Sequence, residues 1–473
     1  MDKTYRIEYF NRQAKESDAW KKRNRYYHRQ LRQIIKFIVP PGKKVIEIGC
    51  GTGDLISYVS PSRGVGIDFS NEMLNIAKSK YNNIEFINND AENLSIAEKF
   101  DYVILSDMIG YVDDVWQAFR ELKKVVDCNS RVVITYYNYL WDPVLWIAEI
   151  LGLKMKQDHQ NWLSQDDICN LLYLNGFEAV KKGESLLIPV YIPLVSGFIN
   201  KYVARLPLIR NFCLIEYIVA RYTGNDSGRQ EKEMSCSVIM PCRNEAGNIE
   251  SAVSRTPQLG AHTELIFVDG NSTDGTIEKI REMIDKYKGV KDIKLVHQGE
   301  PKGKADAVQK GFKIAAGDIF FILDSDLTVP PEDLPKFYIA LMENKGELIN
   351  GSRFVYPMEK ESMRFLNKIA NKLFSMIFSK LLEQRITDTL CGTKILTKDN
   401  YNKIVANRSF FGDFDPFGDF DLLFGAAKLN LKIVDVPIRY KPRTYGDIKI
   451  ERFKHGWLLF RMVLVALRKL WFK

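Results

Sequence analysis

Four aspartates fall within Phe411–Asp421, FGDFDPFGDFD, a pentapeptide written twice around one proline. Carboxylates at that density suit a cage for a hard cation, a general acid or base, or caps for turns and helix starts. A second acidic pair, Asp324 and Asp326, closes the apolar run FFIL. Residues two apart on a strand point the same way, so both carboxylates can meet one Mg2+ or Mn2+ ion that also takes two phosphate oxygens. A third constellation lies in VIEIGCGTGD, Val45–Asp54. There Gly49, Gly51 and Gly53 let the backbone turn tightly and a ligand come close. Asp68 follows Glu47 by 21 residues, a spacing that suits a carboxylate taking hydrogen bonds from ribose hydroxyls. Asp90, in INNDAENL, stands where an adenine amino group could be read.

These residues need strands that end at a common edge. Short aliphatic runs alternate with helical patterns in both halves: KKVIEIG, FDYVILSD and RVVITYY, then CSVIMP, ELIFVDG and DIFFILDSD. Such alternation predicts parallel sheets covered on both faces. The turn-rich, charged stretch TGNDSGRQEKE reads as a linker, so the expectation is two tandem α/β domains over 1–222 and 235–473, joined by 223–234. No motif is shared between the halves, which makes this a fusion and not a duplication.

The order and spacing in the first half resemble the class I S-adenosylmethionine-dependent methyltransferases, with a Rossmann-like fold, over about residues 25 to 180. The resemblance implies that Glu47 helps place the methionine amino group and that Gly49, Gly51 and Gly53 pass under the cofactor. It puts Asp68 on the ribose and Asp90 with Ala91 near the adenine. An NAD-binding unit is the alternative, although its usual loop is GxGxxG and this one is GCGTG. For the methyl acceptor, Asp107, Tyr111 and His159 are pocket candidates, each equally readable as a strand-end or surface residue.

The second half resembles glycosyltransferase family 2, with the GT-A nucleotide-diphospho-sugar fold, over about 235 to 455. Within it the likeness is to the dolichyl-phosphate mannose synthase group and its polyprenyl-phosphate relatives. This implies Pro241, Arg243 and Glu245 in the nucleoside pocket, Asp269 on the nucleoside, Lys304 and Arg353 facing the diphosphate, and the metal on Asp324 and Asp326. The family's paired acids in DDGS are Asp269-Gly270 here, which leaves UDP- and GDP-linked donors both open. NLKIVDVP, eleven residues beyond Asp419, resembles the strand that follows the family's acceptor-side acid, so the repeat places Asp419 there, as a general base where the acceptor is a hydroxyl. Asp421 would sit in a helix's first turn, while Asp413 and Asp415 read as turn residues.

Formal net charge is +9, which favours anionic small molecules and acidic lipid, and no nucleic-acid partner is expected. Seven scattered cysteines with no CxxC spacing fit a reduced, cytoplasmic compartment, and MDKTYRIEYFNRQ has no apolar core of a secretory signal. No apolar run reaches the roughly 20 residues that span a bilayer. Two basic, aromatic-rich helices, Arg364–Leu382 and the last thirty or so residues, suit the plane of a membrane's cytosolic face or packing on their own domain. Beside them Arg443, Lys449 and Arg452 are candidate ligands for an acceptor phosphate. IERFK stands where processive members carry QxxRW, which argues against a polysaccharide synthase. Three functions follow: a bifunctional enzyme whose sugar acceptor is a polyprenyl phosphate; a transferase to a sugar hydroxyl of a glycan or glycolipid; and a transferase whose first half is a non-catalytic cofactor-binding module.

Overall fold

The structure, a computed structural model, describes residues 3–157, 161, 163–224, 233–300, 303–353, 365–410, 419–443, 445 and 460–471. The chain forms two compact units, Met1–Arg229 and Gln230–Lys473.

The N-terminal unit is built on β1 (Lys44–Ile48), β2 (Arg63–Asp68), β3 (Glu85–Asn88), β4 (Tyr102–Ser106), β5 (Arg131–Tyr137), β6 (Phe177–Ser185) and β7 (Ile215–Tyr222). Their order across the sheet is β3-β2-β1-β4-β5-β7-β6. The continuous apolar runs are buried on both faces, as parallel central strands require. Ile46, Ile48, Val103 and Leu105 pack with Phe119 on one side, while Val45, Ile104 and Val133 pack with Ile35 and Ile56 on the other. Two helices precede the sheet, α1 (Lys3–Arg23) and α2 (Arg25–Ile38). The second buries Tyr27, Leu31, Ile35 and Ile38, the three-to-four spacing of one helical face.

The C-terminal unit has β8 (Cys236–Cys242), β9 (Thr263–Asp269), β10 (Asp292–His297), β11 (Ile319–Ile322), β12 (Leu348–Ser352), β13 (Lys394–Thr397) and β14 (Ile433–Pro437). Their order is β10-β9-β8-β11-β13-β12-β14. In both units the first strands of the chain lie at the centre and run parallel, so their carboxyl ends share one edge.

The expected wholly parallel sheets are corrected at two strands. β7 lies antiparallel between β5 and β6, and β13 lies antiparallel between β11 and β12. An apolar run such as IEYIVARY encodes burial and carries no direction; direction is set by how the connection returns to the sheet. β6, FEAVKKGES, is an edge strand, and its lysines and glutamates discourage pairing with another chain.

The two membrane-candidate helices each spend a face on their own core. The helix Phe365–Leu382 buries Phe378, Leu381 and Leu382 and exposes Leu373 and Met376. Within 460–471, Met462, Val463 and Ala466 are buried while Phe460 and Leu464 are about half exposed. Among the described residues no helix is long and apolar enough to cross a membrane.

Phe119 is fully buried at the centre of one face. Phe119→Ala is expected to cost the N-terminal unit about 3–5 kcal/mol, read from the shift of its urea transition in the full chain.

Candidate functional site

In the first unit the glycine loop leaves β1 and enters a cavity of about 140 Å³. Gly49, Gly51, Asp68, Asp90 and Ala91 all line it. Gly49 has φ 75, and a Cβ there would come within 2.8 Å of Met108 Cβ, so only glycine fits. Asp68, buried at the end of β2, accepts the Gly51 N–H and the Ser70 N–H, each at 2.9 Å. Burial raises its pKa against those two hydrogen bonds.

Glu47 and Gly53 are not among the lining residues. Glu47 is buried beneath the loop, where its Oε2 accepts the Ile56 N–H at 2.9 Å. Burial pushes its pKa up to about 8, against the Ile56 hydrogen bond and nearby Lys21. Its carboxyl therefore anchors the short helix Asp54–Tyr58 that follows the loop.

The cavity's outer wall comes from α1, which motif reading missed. Arg6, Ile7 and Phe10 line it. The Phe10 ring meets Phe69 and Tyr111 edge-on at 5.4 and 5.2 Å, and Arg6 pairs with Asp113 at 2.5 Å. Lys21 ties the far end of the helix to the glycine loop through Thr52 Oγ1 at 2.6 Å and Asp54 at 2.5 Å. The available signal was Ile7, Phe10, Ala14 and Ser17, spaced as one helical face. Asp68, Asp90, Glu92 and Asp107 face the cavity against Arg6 alone. That excess of negative charge suits the sulfonium and ammonium of S-adenosylmethionine and opposes the pyrophosphate of NAD.

In the second unit β11 ends at Ile322, so Asp324 and Asp326 lie in the turn beyond the strand and not on it. Alternation persists through the turn. Ser325 Oγ donates to the Pro241 carbonyl at 2.9 Å, and the aspartates meet cations: Asp324 with Lys304 at 2.5 Å, Asp326 with Arg443 at 2.6 Å. Asp326 also accepts from the Thr328 N–H and hydroxyl. Arg443, a candidate for the acceptor phosphate, thus sits at the aspartate pair, with Glu245 3.5 Å from its other nitrogen. Among the described residues no three His, Cys, Asp or Glu side chains form a metal cage. Two hard carboxylates fit a Mg2+ or Mn2+ ion that draws its remaining ligands from diphosphate and water.

Two expected contacts are redirected. Asp269 is fully buried, and its carboxylate accepts the N–H groups of Asn271 and Ser272, so it shapes the loop from within. Arg353 is buried in a two-pronged pair with Asp388, at 2.6 and 2.8 Å, and stacks on Tyr440, so it is not an open cation for the diphosphate. Glu245 is buried and holds Asn248 at 2.7 Å, and Arg243 is exposed beside the loop. Tyr445 closes on the same loop by packing against Gly247 and donating to Asp274 at 3.2 Å.

Asp388 and Gly392, in TDTLCGTK, were not singled out by motif. A Cβ at Gly392 would strike the Asp324 carboxylate and the Lys304 ammonium, so this backbone lies directly against the acidic pair. The signal was a polar run, Thr387 to Thr389, ahead of a glycine and β13. Asp419 opens the helix Asp419–Lys428, and Asp421 pairs with Arg408 at 2.5 Å. The Asp419 side chain lies outside the described part, as do His159, Asp413, Asp415, Lys449 and Arg452.

A strand-loop-helix cradle for an adenosyl group, followed by a paired-aspartate site at the end of a second sheet, defines a two-domain transferase. Residues 21–182 match the family model "Methyltransferase domain" and residues 237–404 match "Glycosyl transferase family 2". The chain is 32% identical over 256 residues to a dolichol-phosphate mannosyltransferase of Mycosarcoma maydis, covering 49% of this chain and 84% of that protein. It is 32% identical over 223 residues to a dolichol-phosphate mannosyltransferase of Pyrococcus furiosus, covering 46% of this chain and 60% of that one. A solved SAM-dependent methyltransferase of Thermotoga maritima, a possible histamine N-methyltransferase, is similar at 18% identity and TM-score 0.36, covering 45% of this chain and 97% of that one. The chain belongs to glycosyltransferase family 2 and carries a methyltransferase domain ahead of the transferase domain.

Two substitutions test the geometry. Because the buried Glu47 carboxyl holds its proton to higher pH than in the unfolded chain, its contribution to stability is present below about pH 4.5 and is lost as pH rises towards 8. Glu47→Gln keeps a hydrogen-bond acceptor without the titration, so its stability relative to the parent should rise from pH 5 to pH 8 in urea titrations. Gly392→Ala should leave the fold within about 1 kcal/mol, since flexible side-chain ends can shift. It should lower sugar transfer about 10- to 100-fold and raise the metal concentration needed for half-maximal rate.

Proposed function

We propose that the chain is a bifunctional enzyme. Its C-terminal half transfers a sugar from a UDP- or GDP-linked donor to a polyprenyl-phosphate-type lipid, and its N-terminal half transfers a methyl group from S-adenosylmethionine. The working boundaries are 1–222 and 235–473, with 223–234 between them. The observation that carries the sugar-transfer reading is the acidic pair Asp324 and Asp326, turned towards Lys304 and Arg443 and backed by Gly392. The names borne by the Pyrococcus and Mycosarcoma relatives support the lipid-phosphate acceptor.

Asp324 and Asp326 would hold a Mg2+ or Mn2+ ion, which supplies charge neutralisation to a departing diphosphate. Lys304 and Arg443, displaced from the aspartates, are placed to meet phosphate oxygens. An acceptor phosphate arrives already ionised, so transfer needs orientation and no base. In the methyltransferase half, Asp68 orients the ribose end of the cavity while α1 excludes water over it. The exposed apolar residues of both halves favour work at the cytosolic face of a membrane.

The helix start at Asp419 keeps the hydroxyl-acceptor reading in play. A panel of UDP- and GDP-sugars offered with polyprenyl phosphate and Mg2+ or Mn2+ separates the two. A chloroform-extractable labelled product that persists in Asp419→Asn is expected; transfer only to glycan hydroxyls, abolished in that variant, would establish the other reading.

A further inference from the structure

A second cavity adjoins the glycine-loop cavity and shares Asp107 and Tyr111 with it. Asp107 follows β4 with φ 52, a left-handed conformation that costs a non-glycine residue about 1 kcal/mol or more. It lines both the glycine-loop cavity and this second, small cavity of about 20 Å³, whose other walls include Tyr111, Tyr136, Tyr137 and Asn161. The carboxylate is fixed from two elements. Tyr27 of α2 donates its hydroxyl at 2.5 Å, and Thr135 of β5 donates at 3.4 Å while sharing a hydrogen bond with Ser106. Asn161 is held in the wall by the Gly110 and Val112 carbonyls.

Tyr136 brings a polar cluster to the wall of the second cavity. Its buried hydroxyl is grouped with the Glu216 carboxylate and the Gln165 amide, which lie behind the lining. Apart from Asp107 the lining is uncharged. Lys154 stands over the Tyr137 ring at 6.0 Å, paired with Glu149, and acts on Asp107 from behind the lining. A carboxylate acceptor would meet Asp107 itself. A neutral hydroxyl meets no such repulsion and can donate to Asp107.

Tyr137, Trp141 and Leu145 pack against one buried cluster that includes Tyr27 and Leu31. Trp141 and Leu145 belong to an apolar stretch through the helix Asp142–Ile150, where Trp146 is 62% and Ile150 60% exposed. From Leu186 to Ile215 the neighbouring chain has no acid, and it exposes Leu194, Phe198 and Leu208. Trp141 Nε1 donates to the Phe212 carbonyl at 2.8 Å, which joins the two apolar stretches. An acceptor with an alkyl tail has somewhere to lay it.

We propose that the methyl acceptor is a neutral hydroxyl on the head group of an amphiphile, seated in the tyrosine-lined cavity with Asp107 as its proton acceptor. This rests on the reading of the N-terminal half as a methyltransferase. The acceptor oxygen forms a bond to the methyl carbon and the C–S bond breaks with its electron pair on sulfur, which leaves a neutral thioether. The hydroxyl proton passes to Asp107. Burial holds Asp107 up at about 6, against hydrogen bonds from Tyr27 and Thr135 and the charge of Lys154, itself paired with Glu149. Transfer should therefore fall as pH drops through about 6, where the base becomes protonated.

The test uses the full chain with tritiated-methyl S-adenosylmethionine and four probes: octyl glucoside, octyl mannoside and the methyl glycosides of the same sugars. The expected result is label on an octyl glycoside at least tenfold faster than on its methyl counterpart. Asp107→Asn should lower the rate 100-fold or more and abolish the acid limb near pH 6. Tyr136→Phe should raise the probe's KM at least fivefold with a smaller effect on kcat, and near-ultraviolet circular dichroism checks both folds. A wild-type chain that binds S-adenosylmethionine calorimetrically yet labels octylamine or octanoate and no glycoside overturns the inference. So does labelling of neither kind of probe, an Asp107→Asn rate within threefold of the parent, or equal rates on octyl and methyl glycosides. Failure to bind S-adenosylmethionine at all would instead remove the methyltransferase reading beneath it.

Discussion

Buried carboxylates that accept backbone N–H groups at strand ends organise both units. Asp68 takes the amides of Gly51 and Ser70, and Asp269 takes those of Asn271 and Ser272. In each case a parallel strand stops, its chain must turn away from the sheet, and the freed amides lose their ladder partners. A carboxylate with two oxygens can meet two of them at once and fix the loop before any ligand arrives. Ligands bind in α/β sheets just outside the carboxyl ends of strands, where these loops stand. The same interaction is costly without its partners, because an unpaired charge at such depth is strongly disfavoured. The loops and the carboxylates are therefore conditional on each other.

What was legible in the sequence was local. Gly49, Gly51, Asp68 and Asp90 sit on one cavity wall because each comes at the end of a strand at the same sheet edge, and the runs that make those strands are continuous and apolar. The aspartate pair was legible for the same reason, although the turn and not the strand presents it. What was not legible depends on contacts far apart in the chain. Arg443 lies 117 residues from Asp326, and Arg353 is 35 residues from the Asp388 that absorbs its charge. A cation's type says that it will find an anion; only the fold says which one. The antiparallel insertions of β7 and β13 escaped for a related reason, since alternation of apolar residues fixes a face and leaves the direction free.

The basic, aromatic helices show how two readings of one pattern can share a residue set. Phe378 and Leu382 are core, and Met376, two residues before Phe378, is 59% exposed. A helix apolar on more than one side can pack against its own sheet and still present a greasy stripe outward.

The helix α1 has a kinetic consequence. Arg6, Ile7 and Phe10 form the wall of the adenosyl cavity, and Phe10 is wedged edge-on between Phe69 and Tyr111. A bound molecule leaving past that wall must unstack those rings and separate Arg6 from Asp113. Leaving by that side requires α1 to open, a motion of the kind that takes microseconds to milliseconds. Residence in the cavity is thereby coupled to the packing of a single ring, Phe10, between two others.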